Sequence, residues 1–586
     1  MISKQQGIAE PFQPSLTQLA VQSPAWVPTI AQASVPIQLT RQGGQIILNG
    51  RSLNAPWSQR RQQIGIADAG LMQAMGVELL SSSDVTQQPV KWFSDQQVTP
   101  INLATWLTGQ YRYLDITELA ARFGWQVTLQ GSTLQITTPA ARVTAVRQGP
   151  QTWGDRIVLD LDRAAPWQVN EERGEAVITL DAQIAPEVLR SFRSRPGNHL
   201  TGVKLEARGN QTLLRVSYPG GLRPHVWSLT NPNRLLIDLR PDYLVERDIR
   251  WAPGIRWKQQ IVAIRSGRFP VVSLEIDPRQ PGVSLKPILS NPSSLVGTAP
   301  LLTTAQRTQV AAAINGGFFN RNNQLPLGAI RRDNRWFSGP ILNRGAIAWN
   351  DAGEVKVERL SLQETVVTSN GQRFAMQSTN SGFVGAGVAR YTPEWGARYT
   401  PIIENEILVT VQNNTVVQQQ QASGQTTAIP ADGYLLVIRA DRTAANAFQP
   451  GTTVQVEAAT LPPEFSGYAE IVGAGPLLVQ NRQIVLNPES ERFSTNFIQE
   501  AAPRSVISST AAGTLMLTTV HNRVNGAGPT LNEIAQIMQQ LGSVNALNLD
   551  GGSSTTLYLG GQLLDRAPAT AARVHNGIGV FIQPSL

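Results

Sequence analysis

The chain has 586 residues, 41% of them hydrophobic, enough for several cores and, by length, for about four domains. Its 49 Lys and Arg against 41 Asp and Glu give a net charge of +8, dispersed along the sequence, which favours anionic partners and argues against nucleic acid because no basic arm is present. Cysteine is absent, which excludes disulfides, thiolate metal sites and cysteine nucleophiles. The four histidines, His199, His225, His521 and His575, are too scattered to suggest a zinc site. No apolar run reaches the roughly 18 residues of a membrane-spanning helix.

Residues 1–34, rich in Gln, Pro and Ser, read as a disordered leader or a degenerate export signal. Ala31-Gln32-Ala33 has the small-x-small form of a cleavage site, whereas Gln18, Gln22, Ser23, Pro24 and Pro28 interrupt any apolar core before it. Residues 35–40 and 45–51 read as strands around a turn at Gly43-Gly44. Residues 113–124 read as a helix with Asp115 as N-cap, Glu118 at the third helical position and Gly124 as its stop. A hairpin follows, 125–129 turning at Gln130-Gly131 into 133–137. Helix and hairpin together, over 35–140, resemble the small α+β domain found at the N-terminus of copper amine oxidases, without copper chemistry, and are expected to act as a structural spacer.

Residues 156–162, 176–181, 212–217 and 234–240 alternate apolar and polar positions, the pattern of half-buried antiparallel strands, and the second pair reads as a companion to the first. Asp155-Arg-Ile-Val-Leu-Asp-Leu and Asn233-Arg-Leu-Leu-Ile-Asp-Leu are similar to the β-sandwich domain called AMIN. That resemblance, over 141–250, implies association with peptidoglycan. Residues 241–253, with Trp251, read as the crossing into a last domain over 254–586.

In the last domain, 271–277 is an alternating strand, and 304–309 is a short helix leading into the apolar strand 310–314. The strand delivers Asn315-Gly316-Gly317-Phe318-Phe319-Asn320: an amide, two permissive glycines and two rings that can wall a pocket. Gly473-Ala-Gly475-Pro476 is a second glycine joint, and it is not a phosphate loop because no Gly-Lys-Ser/Thr follows. Arg504 and Arg523 stand at strand ends and offer planar donors to phosphate. Thr530 and Glu533 form a capping box on a helix whose apolar face is Leu531, Ile534, Met538 and Leu541, stopped by Gly542. The strand 546–549 then delivers Asp550 into Gly551-Gly552-Ser553-Ser554-Thr555, a carboxylate followed by two glycines and hydroxyl residues.

Taken in order, Ile314-Asn-Gly-Gly-Phe-Phe, Val472-Gly-Ala-Gly-Pro, Pro503-Arg-Ser, the capped helix, Asn548-Leu-Asp-Gly-Gly-Ser-Ser-Thr and Arg573-Val-His-Asn-Gly-Ile resemble the phosphodiester glycosidase family over about residues 260–584. The resemblance implies hydrolysis of a sugar joined through its anomeric carbon to a phosphodiester, with Asp550 as nucleophile, general base or metal ligand. Arg504, Arg523 and Arg573 would be phosphate donors, and Asn315, Gly316, Gly317, Gly475, Asn548, Gly551, Gly552, Ser553, Ser554 and Thr555 would shape the substrate pocket. His521-Asn522-Arg523 departs from the family's Asp-Gly-Arg, so an acid is missing and His521 stands in its place as a catalytic candidate. Ser505 replaces a threonine, and Ser553 a third glycine.

No second carboxylate is placed by the sequence. Glu275, Asp277, Glu394 and Glu470 read as solvated surface charges. Asp550 with Asn315 and Asn548 offers oxygens to a hard cation such as Ca²⁺. The expected architecture is multi-domain and β-rich α+β, a small α+β domain and a β-sandwich-like region preceding a mixed-sheet α/β catalytic domain. The expected activity is removal of an N-acetylglucosamine-like sugar from a phosphodiester-linked glycan, in the periplasm or outside the cell. The alternative is a non-catalytic envelope protein that binds anionic glycan or peptidoglycan.

Overall fold

The computed structural model describes residues 41–583 except 95–99, 173, 220–221, 242–243 and 524–525. The leader expected over 1–34 and the strand expected over 35–40 lie outside the described residues. Within them the protein is mostly β-sheet and multi-domain, with short helices; the longest described helix is the ten-residue Leu531–Gln540. No described helix is long and apolar enough to cross a membrane.

Nine strands between Arg41 and Thr137 form the first sheet, in which Arg41–Leu48 joins the terminal hairpin to the rest: it pairs antiparallel with Arg51–Arg60 and parallel with Thr133–Thr137. Gly43-Gly44 is not the expected turn. The strand runs through it with a register shift, and the reversal falls at Asn49-Gly50, both in the left-handed region (φ 48° and 82°) that a two-residue hairpin turn requires. The helix also begins later than its pattern suggests. Tyr111–Asp115 is a strand, the helix is Thr117–Phe123, and Asp115 lies just outside it, accepting from the Thr117 N–H at 3.0 Å. Gly124 does stop the helix, in the left-handed conformation.

The expected strands between 141 and 240 are present, and their two blocks interleave. Gly154–Leu161 pairs antiparallel with Arg234–Leu239, so the two similar phrases lie side by side in one five-stranded sheet. Glu175–Leu180 pairs with Gln211–Ser217 in a four-stranded one. The expected crossing at 241–253 holds a strand in its second half. Arg247–Ala252 turns at Gly254 (φ 73°) into Ile255–Ile264 and opens an eight-stranded sheet.

That sheet runs Arg247–Ala252, Ile255–Ile264, Gly267–Ile276, Leu515–Val520, Arg504–Thr510, Ser543–Asn548, Leu477–Gln480 and Gln483–Ile484. Every pairing in it is antiparallel: neighbouring strands reverse direction, and the capped helix packs on one face without acting as a parallel crossover. Mixed pairing occurs instead in a seven-stranded sheet of the same region, where Arg373–Thr379 runs parallel to Gly387–Tyr391 and the other pairings are antiparallel. Ile534, Ala535, Ile537 and Met538 of the helix are buried against Val262, Phe269, Leu478, Val506 and Ala546, and Leu531 is buried as well. Thr530 and Glu533 form the reciprocal capping box. A second sheet, Val283–Leu289, Asn576–Ile582, Ala312–Asn315, Leu557–Leu559 and Gln562–Leu563, completes the frame of the site.

Candidate active site

Antiparallel register brings the motifs to one end of the eight-stranded sheet. Val520 lies opposite Arg504, Asn548 opposite Val506 and Leu547 opposite Leu477. The exit of Leu515–Val520, the entry of Arg504–Thr510, the exit of Ser543–Asn548 and the entry of Leu477–Gln480 therefore share an edge. The second sheet meets this edge through Asp550, whose N–H donates to Gly316 O at 3.0 Å.

Asn315 is the joint between the two sheets. Its Oδ1 accepts the Ser505 hydroxyl at 2.6 Å and the Thr556 N–H at 3.1 Å, and its Nδ2 donates to Asp550 O at 2.7 Å. The side chain is fully buried, and these bonds hold the loop after Asp550 in place. Asn548, also fully buried, donates to Gly475 O and Leu549 O, each at 2.8 Å. Asn576, three residues after Arg573 in the last motif, accepts the Gly317 N–H at 2.9 Å. Here the glycines are a matter of space: a Cβ on Gly316 would lie 2.0 Å from Asn576 Oδ1, and one on Gly317 2.4 Å from Gly473 O.

Asp550 keeps an opening to solvent but is enclosed by protein, and that desolvation pushes its carboxyl up to about 6. The Ser554 hydroxyl, the Arg321 charge and the Gly551 N–H, which donates to Oδ1 at 3.0 Å, oppose the rise. Gly551 and Gly552 are partly open beside it, Ser553 is exposed, and Ser554 and Thr555 are buried.

The three arginines named by the sequence separate. Arg504 is buried and donates to Glu500 O and Pro529 O while its guanidinium lies 5.2 Å from the Phe497 ring. Arg523 donates to Ser266 O at 3.2 Å and meets Glu533 at 3.4 Å. Arg573 is exposed and donates to the Thr298 carbonyl. Arg321, which no sequence motif marks, is an exposed cation whose field reaches Asp550.

Three half-buried rings stand over this edge. Phe493 and Phe497 stack at 4.8 Å, and Phe318 meets each at 5.6 Å. Arg344 covers Phe493 at 4.0 Å. Glu491, fully buried, accepts the Gly345 N–H at 2.8 Å and the Leu477 N–H at 2.9 Å, and burial pushes its carboxyl up. Phe318 was legible beside its glycines. Phe493, Phe497 and Glu491 belong to no motif and reach the site only through the fold.

His521 Nε2 lies 2.8 Å from Asp565 Oδ2. His575, in the last motif, donates from Nε2 to Leu295 O at 2.7 Å, and burial pushes its imidazole down to about 4, so it stays neutral. Of the lone acids, Asp277 and Glu394 pair with Arg279 and Arg335, and Glu275 accepts the Thr514 hydroxyl at 2.9 Å. Glu470 is not a solvated charge. It is buried, accepts the Asp333 N–H, and is pushed up to about 7 by desolvation. Of the oxygens read as a Ca²⁺ set, Asn315 Oδ1 already accepts two hydrogen bonds, whereas the buried Asn548 Oδ1 accepts none among the described residues. No group of three or more His, Asp or Glu able to hold a metal occurs among the described residues.

Residues 405–581 match the family model of phosphodiester glycosidase. Among solved structures, a hypothetical protein from Synechocystis is 45% identical with a TM-score of 0.86, the match covering 93% of this chain and 99% of that one. A protein from Burkholderia pseudomallei is 17% identical with a TM-score of 0.46, over 75% and 97%. The catalytic domain of zebrafish N-acetylglucosamine-1-phosphodiester alpha-N-acetylglucosaminidase is 15% identical with a TM-score of 0.29, over 57% and 85%. No curated protein matches significantly. The chain thus belongs to the same family as the Synechocystis protein and carries a phosphodiester glycosidase domain that includes Asp550.

Proposed function

We propose that the protein is a hydrolase that releases an N-acetylglucosamine-like sugar from a phosphodiester-linked glycan of the cell envelope or extracellular matrix. The observation that carries this reading is Asp550: a carboxyl raised by burial, open on one side, at the edge where the Asn315, Gly475 and Ser505 motifs meet its strand. A glycosyl phosphate already has a stabilised leaving group, so the site needs a carboxylate near the anomeric carbon, cationic donors for the phosphate and a wall for the sugar. Asp550 supplies the first. Arg321 and Arg504 are cations whose charges act on it, and Phe318 with Phe493 and Phe497 supplies the wall.

On this reading residues 254–586 form the catalytic domain, 35–140 a small α+β support, and 141–250 an AMIN-like region that retains an exported enzyme near peptidoglycan. Incubating the whole protein with an N-acetylglucosaminyl phosphodiester tests the activity: the wild type releases free sugar, and Asp550→Asn does not. Ligand retained without turnover by the wild type would reduce the site to glycan binding. Failure of residues 141–250 to be required for sedimentation of the whole protein with peptidoglycan would remove the retention role.

A further inference from the structure

The His521 imidazole and the Asp550 loop are held by one dipeptide. Asp565 meets His521 Nε2 through Oδ2 at 2.8 Å, and its Oδ1 accepts the Leu557 N–H at 2.9 Å, so both oxygens of a carboxylate with no exposed side-chain surface are committed. Because a carboxylate oxygen only accepts, Nε2 carries the hydrogen and Nδ1 is left with the lone pair. Nδ1 makes no hydrogen bond among the described residues, and 18% of the imidazole side chain stays exposed. Arg566, next in the chain, donates to Ser553 O at 2.8 Å and to Thr555 O at 3.1 Å, which ties the loop after Asp550 to the same support.

Register places the two groups at one edge. His521 follows Val520, which lies opposite Arg504, and the Gly552 N–H donates to Pro503 O at 2.7 Å on the other side of the same strand entry. A carboxylate thus stands against the His521-Asn522-Arg523 motif, from 44 residues further along the chain.

We propose that His521 and Asp565 are the proton-accepting pair of the hydrolysis, Asp565 acting as a positioning residue and His521 Nδ1 as the base. In the step, the oxygen of a water bonds to the anomeric carbon, and the bond from that carbon to the phosphate oxygen breaks with its electron pair leaving on the phosphate. The water proton passes to Nδ1 and is then lost to solvent. Asp550 remains to face the positive charge that develops on the sugar. This proposal rests on the hydrolase reading above.

The test is a double-mutant cycle on the whole protein with an N-acetylglucosaminyl phosphodiester: His521→Ala, Asp565→Asn and both together, with kcat, KM and the thermal midpoint measured for each. Each single variant is expected to lose on the order of 10²-fold in kcat with KM little changed, and the double variant to be no slower than His521→Ala. Asp565→Asn also disturbs the Leu557 N–H, so the decision rests on the His521→Ala background, where a purely structural loss persists and a positioning loss vanishes. Losses that multiply, or a His521→Ala variant as fast as wild type, overturn the pair alone. A wild type that releases no sugar overturns the hydrolase reading and the pair with it.

Discussion

Asp550 shows how one environment sets both reactivity and a stability cost. Its carboxyl titrates near 6 in the folded protein against an ordinary 3.8, so between those values the native state binds a proton that the unfolded chain has lost. Stability attributable to this group is therefore fully present below about pH 4 and is lost as pH rises to 6. Asp550→Asn should remove that loss and stabilise the protein at pH 8 by on the order of 1 to 3 kcal/mol while abolishing turnover. Thermal midpoints at pH 4.5 and pH 8 check it, and an unchanged difference between the two pH values in the variant refutes it. Wild-type kcat/KM should rise through pH 6 as the carboxylate forms. At this scale the residue types were legible in the sequence, because glycines and hydroxyls beside a carboxylate mark a close approach. Their division of labour was not. Asn315 looks like a pocket donor in sequence, yet its amide is spent on Ser505, Thr556 and Asp550. Asp565 is one unpatterned acid among 41 acidic residues until the fold sets it against His521.

Elements whose signals are local were read nearly as they stand. The capping box of Leu531–Gln540 and the hairpin of Gln126–Gln130 with Thr133–Thr137 depend on residues a few positions apart. The antiparallel order of the eight-stranded sheet depends on pairings such as Gly267–Ile276 with Leu515–Val520, more than 200 residues apart, which no periodicity encodes. Glycine joints carry a similar long-range requirement. Gly475 has φ 110°, and a Cβ there would lie 2.5 Å from Glu491 Oε2 and 3.2 Å from Phe493. Gly475→Ala should therefore displace the Glu491 carboxylate from the Gly345 and Leu477 N–H groups, costing about 2 to 4 kcal/mol and loosening the ring cluster above the site. Denaturant unfolding measures the first effect. A rise in KM larger than any fall in kcat would report the second, and an alanine variant as stable as wild type would show that the joint tolerates the side chain.

At the scale of the molecule, the region expected to be a spacer is joined to the catalytic frame by a buried charge network. Arg112 pairs with Asp68 at 2.9 Å, donates to Gln88 Oε1 at 2.9 Å and reaches Trp251 O at 3.3 Å, while Trp251 Nε1 donates to Asp68 Oδ2 at 2.6 Å. Trp251 lies 3.0 Å from the position of a Cβ on Gly560, and Tyr111 3.2 Å from one on Gly561. The turn between Leu557–Leu559 and Gln562–Leu563 is thus seated on the N-terminal sheet, about four to five residues before Asp565 and Arg566 take hold of His521 and the Asp550 loop. Breaking one member of a buried pair leaves the other charge uncompensated, so Asp68→Ala should destabilise the protein by about 3 to 5 kcal/mol. If the sheet supports the turn as the contacts indicate, the variant should also lose turnover at temperatures where it remains folded, because Asp565 would no longer be held against His521. Adding Asp68→Ala to His521→Ala separates the two effects. The thermal midpoint should fall by the same amount in either background, whereas kcat should fall only where His521 is present. An equal fall in kcat in both backgrounds would mean that the N-terminal sheet stabilises the fold without acting on the site.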